Sequence, residues 1–319
     1  MTRRDEDEAP SAVLIAGPTA SGKSALASRL AADLGGVVVN TDSMQIYAGL
    51  AILTARPTAA EVARLPHRLY GHVDPARPFS VADWLADVER VLAEIRAAGR
   101  LPIFVGGTGL YFEALTHGLA PVPEITGAVR AHWRAEAERI GAAGLHAELA
   151  GRDPRMAARL RPTDTQRLTR ALEVIEATGR SLATWQSAPH SAPLVPPETA
   201  VRLVLEPERA MLHGRIAARF RAMVEDGAIE EAAAFVARGL APEMPAMRAI
   251  GVAALTEVAA GRTSLEAGIE RSIVETRQYA KRQSTWFRGR MGDWLRAGTV
   301  EAAAELIRTG GRAGDAAPG

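Results

Sequence analysis

One stretch constrains this chain more than any other. Residues 12–24 begin with the apolar, β-branched run Val13-Leu14-Ile15 and break into Gly17-Pro18-Thr19-Ala20-Ser21-Gly22-Lys23-Ser24. The spacing is G-x-x-x-x-G-K-S, the phosphate-binding loop pattern, which requires a buried strand before it and a helix after it. Ala25-Leu26-Ala27-Ser28-Arg29-Leu30 supplies the helical pattern. The glycines let successive backbone N–H groups converge on an anion, and the helix N-terminus adds its positive dipole end. In this pattern Lys23 reaches a terminal phosphate and the Ser24 hydroxyl binds Mg²⁺. The alternative is an ordinary glycine turn. Lysine usage argues against it, because Lys23 and Lys281 are the only lysines in a chain that otherwise uses arginine. Lysine stands where a compact point charge on a thin stem is wanted.

With 319 residues, the chain can hold one large domain or a core with an insertion. Hydrophobic content of 47% and charged content of 24% are those of a globular protein. No apolar run is long enough to span a bilayer. The charged start, Thr2-Arg3-Arg4-Asp5-Glu6-Asp7-Glu8, is not a secretory signal. With 0 cysteines, disulfides, cysteine-zinc sites and thiol catalysis are excluded. The 7 histidines have no metal-binding spacing. A monomeric cytoplasmic enzyme is the expectation. The net charge of +1 means that any nucleic-acid binding must come from local clustering.

Residues 1–10 and 310–319 read as disordered tails. Gly35-Gly36 ends the first helix, and Val37-Val38-Val39-Asn40 reads as a second strand. That strand delivers Thr41-Asp42-Ser43-Met44-Gln45-Ile46-Tyr47 to the C-terminal edge of the sheet, where open α/β sheets bind ligands. Asp42 there is a candidate general base, or else an N-cap. Residues 54–78, with several prolines, read as an irregular loop or lid. Ser80 caps a helix to Ala98 whose apolar stripe is Trp84, Val88, Val91, Leu92 and Ile95. The strand at 101–105 ends in Gly106-Gly107-Thr108-Gly109-Leu110-Tyr111. Its glycines permit close approach of a ligand, and Thr108 offers a hydroxyl or caps the next helix. No Asp ends that strand, where phosphoryl-transfer enzymes commonly hold Mg²⁺.

After Pro121-Val122-Pro123 the composition turns helical, with helices expected over 125–140, 144–151, 154–160 and 163–178. Arg159, Arg161, Arg167 and Arg170 have few acidic residues nearby in sequence, which favours a phosphate-backbone footprint over a merely solvated face. A proline-rich link over 189–197 returns the chain to a strand at 199–205. Helices follow over 208–226, 229–238, 249–260 and 264–288, and residues 293–295 read as an edge strand. Arg277, Lys281, Arg282 and Arg288, with Trp286-Phe287, suit either phosphate and base contact or an amphipathic helix closing the core.

Six separated stretches agree on one family. They are the phosphate loop at 17–24, Asp42-Ser43-Met44-Gln45-Ile46-Tyr47, Pro66-His67-Arg68-Leu69, Gly106-Gly107-Thr108-Gly109-Leu110-Tyr111, Gln166-Arg167-Leu168-Thr169-Arg170-Ala171-Leu172-Glu173, and Lys281-Arg282-Gln283-Ser284-Thr285-Trp286-Phe287-Arg288. In this order the chain resembles the bacterial tRNA dimethylallyltransferase (tRNA isopentenyltransferase) family. The resemblance implies an α/β fold: a P-loop kinase-like parallel sheet flanked by helices, with an all-helical insertion. The core is expected over 11–120 and 190–309, and the tRNA-binding insertion over 121–189.

The resemblance also implies transfer of a dimethylallyl group from dimethylallyl diphosphate to N6 of the adenosine 3′ of the anticodon (A37), with Mg²⁺ assisting. Gly17, Pro18, Thr19, Ala20, Ser21, Gly22, Lys23 and Ser24 would hold the diphosphate, and Ser24 the metal. Asp42, Thr108 and Lys23 would be catalytic. The anticodon stem-loop would meet Asp42, Ser43, Met44, Gln45, Thr108, Arg130, Gln166, Arg167, Leu168, Thr169, Arg170, Arg248, Gly251, Lys281 and Arg282. Two departures stand out. Leu53-Thr54-Ala55-Arg56 replaces the usual Gly-Thr-Ala-Lys, and Val252-Ala253 replaces Tyr and a basic residue after Arg248-Ala249-Ile250-Gly251. Only Arg248 and Gly251 of that stretch are therefore assigned.

Overall fold

The computed structural model describes residues 10–309. The two expected tails, apart from Pro10, lie outside them. The chain divides into two compact units, residues 10–116 with 194–309 and residues 117–193. Each is described by itself.

The first unit is built on a six-stranded parallel sheet in the order β3-β2-β4-β1-β5-β6. β1 is Ala12–Ala16 and β2 is Val37–Asn40. β3 is His67–Arg68 and β4 is Pro102–Gly106. β5 is Ala200–Leu205 and β6 is Leu295–Ala297. β1, β2 and β4 are buried at every position, as a sheet covered on both faces demands. Alternate residues serve different cores. Leu14, Val39, Phe104 and Val204 face one cluster with Trp84, Val88 and Phe112. Val13, Ile15, Val38, Ile103 and Leu203 face another with Leu26, Leu30, Ala303 and Ile307.

The helices on these faces follow from local signals. α1, Lys23–Leu34, starts at Gly22 in the left-handed region (φ 96°). α2 is Ala59–Arg64, and α3 is Val81–Ala97 with a Ser80–Asp83 capping box. α3 buries the expected stripe of Trp84, Val88, Val91, Leu92 and Ile95. α4 is Gly109–His117.

The second unit is helical. It contains α5 (Gly127–Arg152), α6 (Pro154–Ala157), α7 (Thr165–Thr178) and α8 (Leu182–Gln186). α5 is interrupted at Gly141 (φ 63°, ψ −176°), where the sequence also breaks the helical pattern. Trp133, Leu145, Leu149, Leu168, Ala171 and Leu172 form its core. The Trp133 indole N–H donates to Glu176 at 3.0 Å.

The chain then returns to the first unit. α9 is Arg209–Glu225, α10 is Ala228–Val236, and α11 is Val252–Ala259. α12 is Leu265–Arg290 and α13 is Val300–Arg308. Parts of α9 to α12 share a further cluster containing Ile216, Phe220, Leu255 and Ile273.

Several expectations are corrected. Residues 54–78 are not wholly irregular. A Thr58–Glu61 capping box starts α2, β3 pairs with β2, and Leu69 and Val73 enter the core. The expected helix over 249–260 begins only at Val252, because Gly251 takes the left-handed conformation (φ 94°) after a 3₁₀ turn over Pro245–Arg248. The edge strand falls at Leu295–Ala297, one turn after α12 ends. α8 and α13 carried no expectation, and the alanines that α13 buries give little hydrophobic signal.

Candidate functional site

The C-terminal ends of β1, β2 and β4 are adjacent in the sheet, so the phosphate loop, the Asp42 segment and the glycine turn lie side by side. Asn40, fully buried at the end of β2, sets the second of these. Its side-chain amide donates to the carbonyls of Asp42 (2.9 Å) and Leu69 (3.0 Å), and its oxygen accepts the Asp42 N–H (2.9 Å). The Trp84 indole N–H holds the Asn40 carbonyl at 3.1 Å. Asp42 Oδ1 accepts from the Met44 N–H at 2.9 Å, closing the turn. Asp42 therefore does cap a local turn while still sitting at the sheet edge.

The β4 turn is pressed against this segment. A Cβ at Gly106 would lie 2.0 Å from the Thr41 carbonyl oxygen. One at Gly107 would lie 2.0 Å from Gln283 Nε2 and 3.5 Å from Asp42 Oδ2. Only glycine fits at 106, where the obstacle is backbone, and a side chain at 107 would have to displace the Gln283 amide. The Thr108 hydroxyl accepts the Ser43 N–H (2.9 Å) and donates to the Ser43 hydroxyl (3.2 Å). Among its hydrogen bonds, these tie it to Ser43 rather than to the amides of α4.

Two helices close on the phosphate loop from the far end of the chain. Gln283 of α12, 5% exposed, accepts the Thr19 N–H at 2.9 Å and donates to the Gly107 carbonyl at 2.9 Å. It thus joins the loop to the glycine turn. From α9, Arg219 donates to the Thr19 hydroxyl and Arg215 to the Ser21 carbonyl at 3.1 Å. Lys23 Nζ donates to the Pro18 carbonyl at 3.1 Å. The Ser21 hydroxyl is buried without a hydrogen-bond partner among the described residues.

The electrostatics couple these groups. Burial lowers the Lys23 ammonium to about 8; the Asp42 carboxylate opposes that shift, and Arg219 adds to it. Burial also lowers Arg219, again opposed by Asp42. Tyr70, Tyr111 and Tyr279 are pushed up by burial, and Asp42 contributes to each, so the carboxylate is walled by neutral phenols. A cleft of about 480 Å³ opens between α9 and α12, lined by Arg209, His213, Arg277, Lys281 and Arg288 with Glu206. Burial and the charges of Arg277 and Arg209 hold His213 below its ordinary value.

The tRNA residues expected from sequence divide between the units. Asp42, Ser43, Met44, Gln45 and Thr108 come together at the sheet edge. Lys281 and Arg282 lie exposed on α12, with Arg282 stacked 5.6 Å from the Tyr279 ring centroid. Arg248 is exposed, and Gly251 caps α11. In the helical unit, Arg130 is exposed in the first turn of α5, and Gln166, Arg167, Thr169 and Arg170 lie in the first turns of α7. Leu168 is a correction: it is fully buried in the core, so its side chain has nothing to offer RNA. Arg167 and Arg170 are not free of acids either, since they lie 3.5 Å from Asp164 and 3.2 Å from Glu173. Both are one-turn pairs at exposed or half-exposed side chains, weak enough for a phosphate to compete.

Sequence reasoning missed Gln283, Arg215, Arg219 and Asn40. Gln283 sat inside a stretch read for its cations. Arg215 and Arg219 are four residues apart on one helix, but nothing in their sequence separates them from the chain's other arginines.

The residues 45–290 match the family model described as IPP transferase, and residues 10–74 match the one described as Isopentenyl transferase. The chain belongs to the IPP transferase family. It is 53% identical over 287 residues to a tRNA dimethylallyltransferase of Agrobacterium fabrum, covering 89% of this chain and 96% of the relative. It is 55% identical over 300 residues to one of Rhodopseudomonas palustris, covering 94% and 93%. Among solved structures it resembles the tRNA isopentenylpyrophosphate transferase of Bacillus halodurans, with TM-score 0.65, 34% identity and coverage of 93% and 95%. It also resembles a eukaryotic dimethylallyltransferase acting on tRNA, with TM-score 0.78, 25% identity and coverage of 96% and 82%. Among the described residues no helix is long and apolar enough to cross a membrane.

Proposed function

We propose that this IPP transferase family member is a tRNA dimethylallyltransferase that takes its prenyl group from dimethylallyl diphosphate and attaches it to N6 of the adenosine 3′ of the anticodon. The observation that carries the reading is the opposition, at one sheet edge, of a cationic phosphate loop and the Asp42 carboxylate. The charges of Lys23 and Arg219 are close enough to Asp42 to feel it.

In the reaction, the N6 nitrogen forms a bond to C1 of the dimethylallyl group as the C1–O bond to the diphosphate breaks. The electron pair of that bond leaves with the diphosphate. The loop amides, Lys23 and Arg219 stabilise the charge that grows there. The exocyclic amine is a poor nucleophile. Asp42 accepts a hydrogen bond from it and then its proton. Thr108, bonded to Ser43, keeps the Asp42 segment beside the glycine turn. The positive cleft between α9 and α12 favours the approach of an anionic substrate.

The donor set suits magnesium. Ser24 offers an exposed hydroxyl at the start of α1, and no cluster of three or more acidic, His or Cys ligands exists among the described residues. Magnesium that keeps its waters and takes most of its ligands from a diphosphate needs little more than this. When bound, it would neutralise charge on the leaving group.

The target base must leave its stack to be modified. Arg130, Gln166, Arg167 and Arg170 are proposed to grip the anticodon stem through its phosphates. The test is incubation of purified protein with Mg²⁺, dimethylallyl diphosphate and an anticodon stem-loop. Mass spectrometry should find one dimethylallyl group on the target adenosine. Phosphoryl transfer from ATP to a small acceptor, with no prenylation, would overturn the reading.

A further inference from the structure

Glu231 lies in α10 and accepts three consecutive amides of one loop. The N–H groups of Ala51 and Ile52 meet Oε1 at 2.6 and 2.9 Å, and that of Leu53 meets Oε2 at 2.8 Å. Successive amides converging on one anion make a nest, and charge-assisted bonds of this kind are among the stronger ones. The loop needs such support, because Ala55 takes a left-handed backbone (φ 52°) that costs a non-glycine residue about 1–2 kcal/mol.

The far end of the same loop holds the segment that carries Asp42. The Gln45 side-chain amide donates to the carbonyls of Thr54 (2.8 Å) and Ala55 (3.0 Å). Arg56 donates to the Tyr47 carbonyl at 3.3 Å. Leu53 lies where a Cβ on Gly251 would come within 2.7 Å of it, so the loop also abuts the start of α11. The phosphate loop is braced differently, by Gln283, Arg219 and Arg215.

We propose that Glu231 is a positioning residue for the acceptor side of the site. By accepting the N–H groups of residues 51–53, it holds the loop in the conformation whose carbonyls orient Gln45. It thereby sets residues 42–45 against the incoming base. This deepens the function proposed above and rests on it. The hydrogen bonds that Gln283, Arg219 and Arg215 make to the phosphate loop do not pass through Glu231.

The test is a double-mutant cycle on the full-length protein with stem-loop and donor, using Glu231→Ala, Gln45→Ala, the double variant and Glu231→Asp. Glu231→Ala should lower kcat/KM for the stem-loop by at least about tenfold, while the donor KM changes by less than about twofold. The double variant should be no worse than Gln45→Ala alone to within about threefold, because the two act in one chain of contacts. Glu231→Asp, which keeps the carboxylate, should recover part of the loss. Amide hydrogen exchange should quicken at residues 51–56 in Glu231→Ala and not in the phosphate loop. Additive losses in the double variant, or equal rises in both KM values, would overturn the proposal. If Glu231→Ala does not accumulate, Glu231→Gln carries the same cycle. A wild-type protein inactive on the stem-loop would refute the function instead, and the exchange measurement would still decide whether Glu231 holds the loop.

Discussion

Lys23 offers a pH test of the donor site. Burial outweighs the attraction of Asp42 and leaves the ammonium of the free enzyme titrating at about 8, below the ordinary 10.5. A lowered lysine pKa means that charge is lost as pH rises. About nine-tenths of Lys23 is charged at pH 7 and about one-tenth at pH 9. If the charged form grips the diphosphate, kcat/KM for the donor should fall about tenfold over that interval. A bound diphosphate pushes the ammonium back up, so kcat should fall much less. Lys23→Arg keeps its charge throughout and should flatten the profile, at whatever activity it retains. Stability moves the other way. The unfolded chain binds the proton more tightly, so the empty fold gains stability as pH rises from about 8 to 10.5, by up to about 3 kcal/mol. Lys23→Met should remove that gain. Steady-state kinetics against donor at saturating stem-loop, with urea unfolding at matched pH, measures both. A flat donor kcat/KM between pH 7 and 9, or the same break in Lys23→Arg, would refute the reasoning.

Three further outcomes follow. Asp42→Ala should leave tRNA affinity largely intact and reduce turnover by about 10²–10⁴-fold in single-turnover assays, and unchanged turnover would show that Asp42 is not the base. Gln283→Ala strands the Thr19 N–H and the Gly107 carbonyl, at about 1–3 kcal/mol each, and should lower the melting temperature and raise the donor KM together. Arg167→Ala should weaken stem-loop binding and reduce the slope of log K against log salt by about one, as measured by fluorescence titration.

The candidate site at the sheet edge was legible in the sequence because its signals are local. The glycine loop, the strand ending in Asn40 and the turn at Gly106 each announce a backbone that must bend sharply or approach something closely. The alternation of Val13, Leu14 and Ile15 between two cores follows from strand period alone. What was not legible depends on pairing between distant segments. β3 is two residues long and exists only because Val38 lies beside it. Gln283 reads as one polar residue among cations until α12 is folded across the loop, 264 positions from Thr19. Leu168 shows the opposite failure. A motif read as a contiguous contact strip crosses a helix, and a helix turns every third or fourth residue into its own core.

The central claim joins two grips at one edge: diphosphate on the glycine loop and a purine amine on Asp42. A crystal structure with an unreactive donor analogue and an anticodon stem-loop tests it most directly. The account predicts the pyrophosphoryl group against the amides of residues 19–24 and the Asp42 carboxylate within about 3 Å of the N6 nitrogen. A carboxylate out of reach of that nitrogen, or phosphates bound elsewhere, would contradict it.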